Sequence, residues 1–173
     1  MRVEKPIRPR YQRTSASFSV CEVYRYVLGR FWNAQERLVN FIMLNPSTAD
    51  EHHDDATLRR CVGYARQWGF GGVVVTNLYA YRATDPRQLW TVADPVGPLN
   101  DEYLHKALRY SRMVVCAWGQ HAKPARSAEV LQLIRDMGHK PMALKKTKQG
   151  MPAHPLRLPK QLKPQPLETL VCT

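Results

Sequence analysis

The apolar run Leu38-Val39-Asn40-Phe41-Ile42-Met43-Leu44 breaks abruptly into Asn45-Pro46-Ser47-Thr48-Ala49-Asp50. Two more runs end the same way. Val73-Val74-Val75-Thr76 meets Asn77, and Met113-Val114-Val115-Cys116-Ala117 meets Trp118-Gly119-Gln120-His121. Between them the apolar spacing turns helical. From Thr57 to Trp68, residues Leu58, Cys61, Val62, Ala65 and Trp68 fall on one helix face. Asn100 can cap a helix to Tyr110 with Leu104, Ala107 and Leu108 inward. Pro124 opens a helix to Met137 that Gly138 ends, and Pro141 to Leu144 is a fourth short strand. Short buried strands alternating with helices fold as a largely parallel sheet covered on both faces. The expected fold is therefore α/β, three layers with a central, mostly parallel four-stranded sheet. Ala16 to Trp32 alternates and adds an antiparallel strand or hairpin, with Gly29-Arg30 as a possible turn.

The chain of 173 residues fits one domain. The expected division is a basic extended arm over residues 1–16, a single α/β domain over 17–158 and a proline-rich tail over 159–173. No apolar run approaches the roughly 18 residues of a membrane span, and the first residues lack an apolar signal core. A cytoplasmic protein with no membrane partner is expected. Cys21, Cys61, Cys116 and Cys172 are scattered and form no CxxC pair. No zinc or iron–sulfur set arises from them, Cys116 reads as a packing residue, and no cofactor is expected.

The formal net charge is +12. Residues 140–163 hold Lys140, Lys145, Lys146, Lys148, Arg157, Lys160 and Lys163 with no Asp or Glu. Such an excess either keeps a solvated surface apart or attracts a polyanion, nucleic acid first.

In α/β sheets ligands bind beyond the carboxyl ends of the strands. Asn45 after a strand serves as a turn residue or, held rigid by Pro46, orients a water with its donors and acceptor. Asn77 is a turn residue or a reader of a base edge. Tyr79 and Tyr81, interleaved with Arg82, either cover the sheet end or offer base stacking and a phosphate contact. The stretch Asp50-Glu51-His52-His53-Asp54-Asp55 suggests a metal site. Adjacent side chains point apart, however, and Asp54 or Asp55 suits a helix cap. No metal site is assigned. His154, followed by Pro155 in a basic loop, is a structural or exposed residue, or meets a developing oxyanion.

Four loops, in order, resemble the uracil-DNA glycosylase superfamily. Asn45-Pro46-Ser47 resembles the first motif of its mismatch-specific branch, whose Asn positions the hydrolytic water. Val75-Thr76-Asn77-Leu78 resembles the strand whose Asn recognises the base. Cys116 to Ala122 resembles the third-strand segment, and His154-Pro155 resembles the final motif, whose His stabilises the departing base. Ser47 stands where glycine is usual, and Leu156 where serine is usual. Over more of its length the chain is similar to domain of unknown function 1643. That likeness is carried by Ile42 to Asp50, Asp55 to Cys61, Thr76 to Pro86 and Trp118-Gly119.

The first resemblance implies a DNA glycosylase-like enzyme that hydrolyses the N-glycosidic bond of a flipped base, modified or unmodified. Asn45 and His154 would be catalytic, and Asn77, Tyr79, Tyr81 and Ser47 would bind the base. Arg82, His121, Lys123, Lys146, Lys148 and Arg157 would contact DNA. Two other readings stand beside it. One is an enzyme that modifies or hydrolyses a nucleotide or base, as in phage DNA modification. The other is a non-catalytic nucleic-acid-binding module on the same fold.

Overall fold

In the computed structural model, which describes residues 11–172, β1 (Arg13–Phe18) and β2 (Arg25–Phe31) form a hairpin that leads into β3 (Leu38–Met43). The helix α1 (Ala56–Gln67) and strand β4 (Gly72–Asn77) follow, then a short 3-10 turn, Pro86–Thr91. Next come α2 (Asn100–Tyr110), β5 (Met113–Cys116), α3 (Pro124–Asp136) and β6 (Pro141–Ala143). A second 3-10 turn, Pro155–Arg157, precedes β7 (Gln165–Pro166) and a last turn, Leu167–Thr169.

The class is α/β, and the sheet is larger and more mixed than four parallel strands. Seven strands run in the order β1-β2-β4-β3-β5-β6-β7. Pairing is parallel from β4 through β3 and β5 to β6, and antiparallel at β1–β2, β2–β4 and β6–β7. Side chains alternate across a strand, and β3 shows the consequence. Val39, Phe41 and Met43 pack with Leu58, Cys61, Val62 and Ala65 of α1. Ile42 packs on the other face with Leu104 and Leu108 of α2 and Val130 and Ile134 of α3. A strand buried on both faces reads as one apolar run, which is why 38–44 was legible. Among the described residues no helix is long and apolar enough to cross a membrane.

The ends of the chain correct three expectations. Residues 1–10 of the expected arm lie outside the described residues, but Arg13 to Ala16 are already strand, paired with Phe31 to Leu28. The turn between β1 and β2 spans residues 19–24, and Gly29 sits inside β2 opposite Ser15. A Cβ there would stand 2.6 Å from Ser15 Oγ and 2.7 Å from the Phe31 ring. Gly29 therefore marks a crowded strand rather than a turn. The proline-rich tail belongs to the domain rather than following it: β7 closes the sheet edge, and Leu167 is buried. Tyr64 Oη donates to Pro159 O at 2.6 Å and Trp68 Nε1 to Leu162 O at 3.1 Å, seating residues 159–162 on α1.

Asn100 does not cap α2, whose N-cap is Leu99 with no side-chain bond. Its fully buried Nδ2 instead donates to the carbonyls of Asn77 and Leu78, 3.0 Å each. The end of β4 is thereby fixed by a neighbouring helix. Leu78 O keeps a second donor in Arg126 Nε. Asn100→Ala thus removes a buried donor to both carbonyls, although it also removes the amide's own unpartnered Oδ1. The net expected loss is about 1–2 kcal/mol, read as a lower urea midpoint with an unchanged m-value.

Candidate active site

Parallel register brings the strand ends together. Met43 pairs with Asn77 and Ile42 with Cys116, so β3, β4 and β5 finish at one level. The backbone beyond them stays bonded across strands: Leu78 N donates to Met43 O, Tyr79 N to Leu44 O and Ala117 N to Ile42 O. Above these ends opens a cleft of about 480 Å³, within the range of small-molecule sites. Its walls come from four stretches that are distant in the chain. Asn45, Ser47 and Asp55 form one, Asn77 and Ala83 a second, Trp118 to His121 a third, and Thr147 with His154 the last. Arg25 of β2 also lines it.

Asn45 and Asn77 play opposite parts. Asn45 Nδ2 donates to Pro46 O at 3.0 Å and to Ala83 O at 2.8 Å, while Ala83 N returns a bond to Pro46 O. Both amide protons are thus used, the orientation is fixed, and Oδ1 is left to accept in the cleft wall. Asn77 is 1% exposed, and neither its Oδ1 nor its Nδ2 has a partner among the described residues. A buried, unpaired amide costs stability and calls for an explanation, and this one lies in the wall of the cleft. Trp118 repeats the pattern, buried in the same wall with Nε1 unpaired.

The fourth wall is tied to the third. Gly119 adopts φ +76°, open to glycine at little cost, and its N–H donates to Pro152 O at 2.8 Å. A Cβ would meet His154 Cβ only at an ordinary 3.8 Å, so the need is conformational rather than spatial. His154 follows. Its Nδ1 accepts the Leu156 N–H at 3.3 Å, which assigns the proton of the neutral ring to Nε2. The residue keeps an exposed edge on the cleft rim, but loss of solvent around the ring lowers its pKa, with the charge of Asp55 pulling the other way. At neutral pH it is a neutral imidazole that donates from Nε2.

The acidic stretch divides into separate jobs. Asp50 accepts from the N–H groups of His52 and His53 and from the His53 ring, which holds its pKa down at about 2. Asp54 pairs with buried Arg30, Nε to Oδ1 at 2.8 Å, and accepts from Tyr11. Asp55 caps α1 by accepting Leu58 N–H at 2.7 Å, and it lines the cleft as well. No group of three His, Cys, Asp or Glu side chains among the described residues could hold a metal ion.

Of the residues expected at the site, Asn45, Ser47, Asn77, His121 and His154 line the cleft. Tyr79 does not. It is 2% exposed and packs on the opposite face, with its hydroxyl accepting Lys123 N–H and its ring edge-on to Trp90. Continued alternation would return Tyr79 to the side of Asn77, but β4 ends at Asn77 and Leu78 and Tyr79 both pack on the α2 and α3 side. Tyr81 and Arg82 line a shallower groove of about 590 Å³ that shares Ser47, Ala83 and Thr84 with the cleft, and Arg82 Nη1 donates to Glu22 O. Lys123 stacks its ammonium on Trp90 at 4.4 Å. Lys148 and Arg157 are exposed, and Lys146 bridges to Pro152 in the hairpin that carries His154. Cys61 touches the cleft floor, but full burial pushes its thiol pKa up, which removes it as a nucleophile.

Arg25, Asp55 and Trp118 are among the cleft residues that were not singled out as site residues. Arg25 lies in an unremarkable strand, Asp55 was legible as a cap or as part of the acidic stretch, and Trp118 only as a neighbour of Gly119. The signal for Arg25 is a bulge. Ser17 pairs with Val27 and Phe18 with Arg25, so Tyr26 is an extra residue in β2. Tyr26 stacks on Tyr103 of α2, while Arg25 reaches the α1 face of the sheet. Bulges re-aim side chains in this way beside functional sites.

Residues 25–156 match the family described as Protein of unknown function (DUF1643), and the chain belongs to that family. No curated protein and no solved structure matches it.

The state of His154 is measurable. Its NMR titration midpoint should fall below the ordinary ~6.5 and fall further in Asp55→Asn, which keeps a capping side chain and removes the charge. Because the folded value is the lower one, protonation favours the unfolded chain. This contribution is intact above the unfolded pKa and is lost as pH drops from there to the folded pKa. A midpoint at or above the free value refutes the assignment.

Proposed function

We propose that this protein hydrolyses the N-glycosidic bond of a nucleotide whose base is turned into the cleft, with DNA as the substrate polymer. The observation that carries the reading is the Asn77 amide. It is buried in the cleft wall with both polar atoms unpaired, in the same cleft as Asn45 and His154. An amide offering one donor edge and one acceptor edge matches a base edge. The four mutually parallel strands, with α1 on one face and α2 and α3 on the other, suit a uracil-DNA glycosylase-like frame.

Each residue has a role its contacts support. Asn45, its Nδ2 committed to two carbonyls, turns Oδ1 to a water. The water oxygen bonds to C1′ as the C1′–N bond breaks, and the bonding electron pair leaves with the base. Asp55 takes the proton that the water releases. The Nε2–H of His154 donates to a carbonyl oxygen of the departing base, where charge develops. Turning a nucleotide out of a duplex costs a few kcal/mol, and basic side chains near the cleft help to meet it. Arg59, Arg60 and Lys160 line a groove with Leu156, two residues from His154. Lys148 and Arg157 are exposed in the flanking segments. Lys123 is a weaker candidate for phosphate, since its ammonium already lies over Trp90.

The nucleotide-hydrolysing alternative shares the cleft and gains support from Asp55, a carboxylate in its wall. The two differ in substrate size. The deciding assay is release of free base, or alkali-labile abasic sites, from DNA carrying uracil or hypermodified bases. Asn45→Ala and Asn77→Ala should each lower the rate by about 100-fold or more, on the scale of losing a positioned polar group. Folded wild-type protein that releases nothing across the panel, yet hydrolyses free nucleotides, moves the assignment to the alternative.

A further inference from the structure

Two arginines of β2 are buried, and only one is satisfied. Arg30, 1% exposed, donates from Nε to Asp54 at 2.8 Å, from Nη1 to Gly29 O and from Nη2 to Asp50 O. Arg25, 4% exposed, donates from Nη1 to Ala49 O and is left with an unpartnered Nε. No carboxylate of the described residues forms an ion pair with it. Buried cations are ordinarily paired, because leaving solvent costs several kcal/mol per ion. Arg25 therefore differs from Arg30 in carrying an unanswered charge, and it carries it in the cleft wall.

Its surroundings point the same way. Burial is the main influence on its pKa, which falls to about 10, and nearby Arg82 and Arg30 push in the same direction. Asp55 and Asp50 oppose them only through space. The guanidinium is still charged at neutral pH. Arg25 also begins the strand next to β4, and its N–H donates to Ala80 O, three residues past Asn77. The β2 bulge then aims its side chain to the cleft rather than to α2.

Resting on the reading of the cleft as a base-binding site, we infer that Arg25 is an anion receptor. The ligand carries an anionic oxygen group, a carboxylate on the base or a phosphate on the nucleotide, alongside the edge that meets Asn77. An uncharged base leaves the guanidinium unanswered. A carboxylate or phosphate oxygen satisfies it through a charge-assisted bond to Nε–H.

Calorimetry on the full chain with matched neutral and anionic ligands tests this. The pairs are uracil against orotate, uridine against its 5′-monophosphate, and adenosine against its 5′-monophosphate. At least one anionic member should bind about 10-fold tighter or better than its neutral partner, the low end for hydrogen bonds to a charged group. Arg25→Gln should erase that difference and spare the neutral ligand, while Arg25→Lys should keep part of it. Preference for orotate identifies a base carboxylate, and preference for a monophosphate identifies the nucleotide phosphate. Should Arg25→Gln not fold, the Arg25 Nε–H resonance of wild type decides, since the anion must shift it and the neutral partner must not. Equal affinities within every pair, no binding of any anionic member, an undiminished preference in Arg25→Gln, or an unmoved Nε–H resonance overturns the inference. The two readings fail separately. Anion binding through Arg25 without base release from DNA removes the glycosidic reading alone, and base release without anion preference removes this one alone.

Discussion

The register of three parallel strands is the constraint on which the site depends. Met43 stands beside Asn77 and Ile42 beside Cys116. A shift by one residue would exchange the two faces of a strand. Asn77 would then point toward α2 and α3, and the apolar side chains of β3 would meet the wrong layer. Register is held by more than the ladder. Thr76 Oγ1 donates to Asn40 Oδ1 at 3.0 Å inside the core, a polar contact that a slipped pairing would lose. Asn100 and Arg126 then bond the carbonyls at the end of β4. With those carbonyls answered by neighbouring elements, the Asn77 side chain is not needed to repair the strand end, and it stays available.

The second constraint is the pair of arginines that β2 brings to the α1 face. Both anchor the segment that follows Asn45, Arg25 through Ala49 O and Arg30 through Asp50 O and Asp54. The antiparallel addition to the parallel sheet is therefore more than an edge cover. It fixes the loop that carries Asn45, Ser47 and Asp55. The short-range order of Asp50 to Asp55 follows from this anchoring. Asp54 turns to Arg30 and Asp55 to the first turn of α1, so neighbouring carboxylates face apart. That division removes the metal site that composition alone suggests.

Strands and helices from 38 to 144 were legible because each one is buried on a full face or stripe, and periodicity records burial. The ends were not. β1 is half exposed along its length, and β7 is two residues long. Neither leaves a period to read, and Gly29 and the tail prolines resemble turn signals when seen without their partners. Within the site, Asn45, Asn77 and His154 could be found because they sit where strands and segments end. Tyr79 was misplaced because alternation stops with the strand, so Leu78 and Tyr79 turn to the same side. Arg25 and Trp118 were hidden, since nothing local distinguishes an unpaired buried polar group from a paired one. Only the third dimension shows that Arg30 has an answering carboxylate and Arg25 does not.

Asp55 shows how a structural and a chemical role can share one residue. Capping commits Oδ1 to Leu58 N–H and so fixes the carboxyl group at the mouth of α1. The capped carboxylate forms no ion pair with Arg25, although both side chains line the cleft. What remains is a cleft with a cation on one wall, a carboxylate on another and an unpaired amide between strand ends. Such separated, unsatisfied groups persist only where surrounding bonds over-determine them. Here those bonds are the α1 cap, the Ala49 contact of Arg25 and the carbonyl clamp of Asn100.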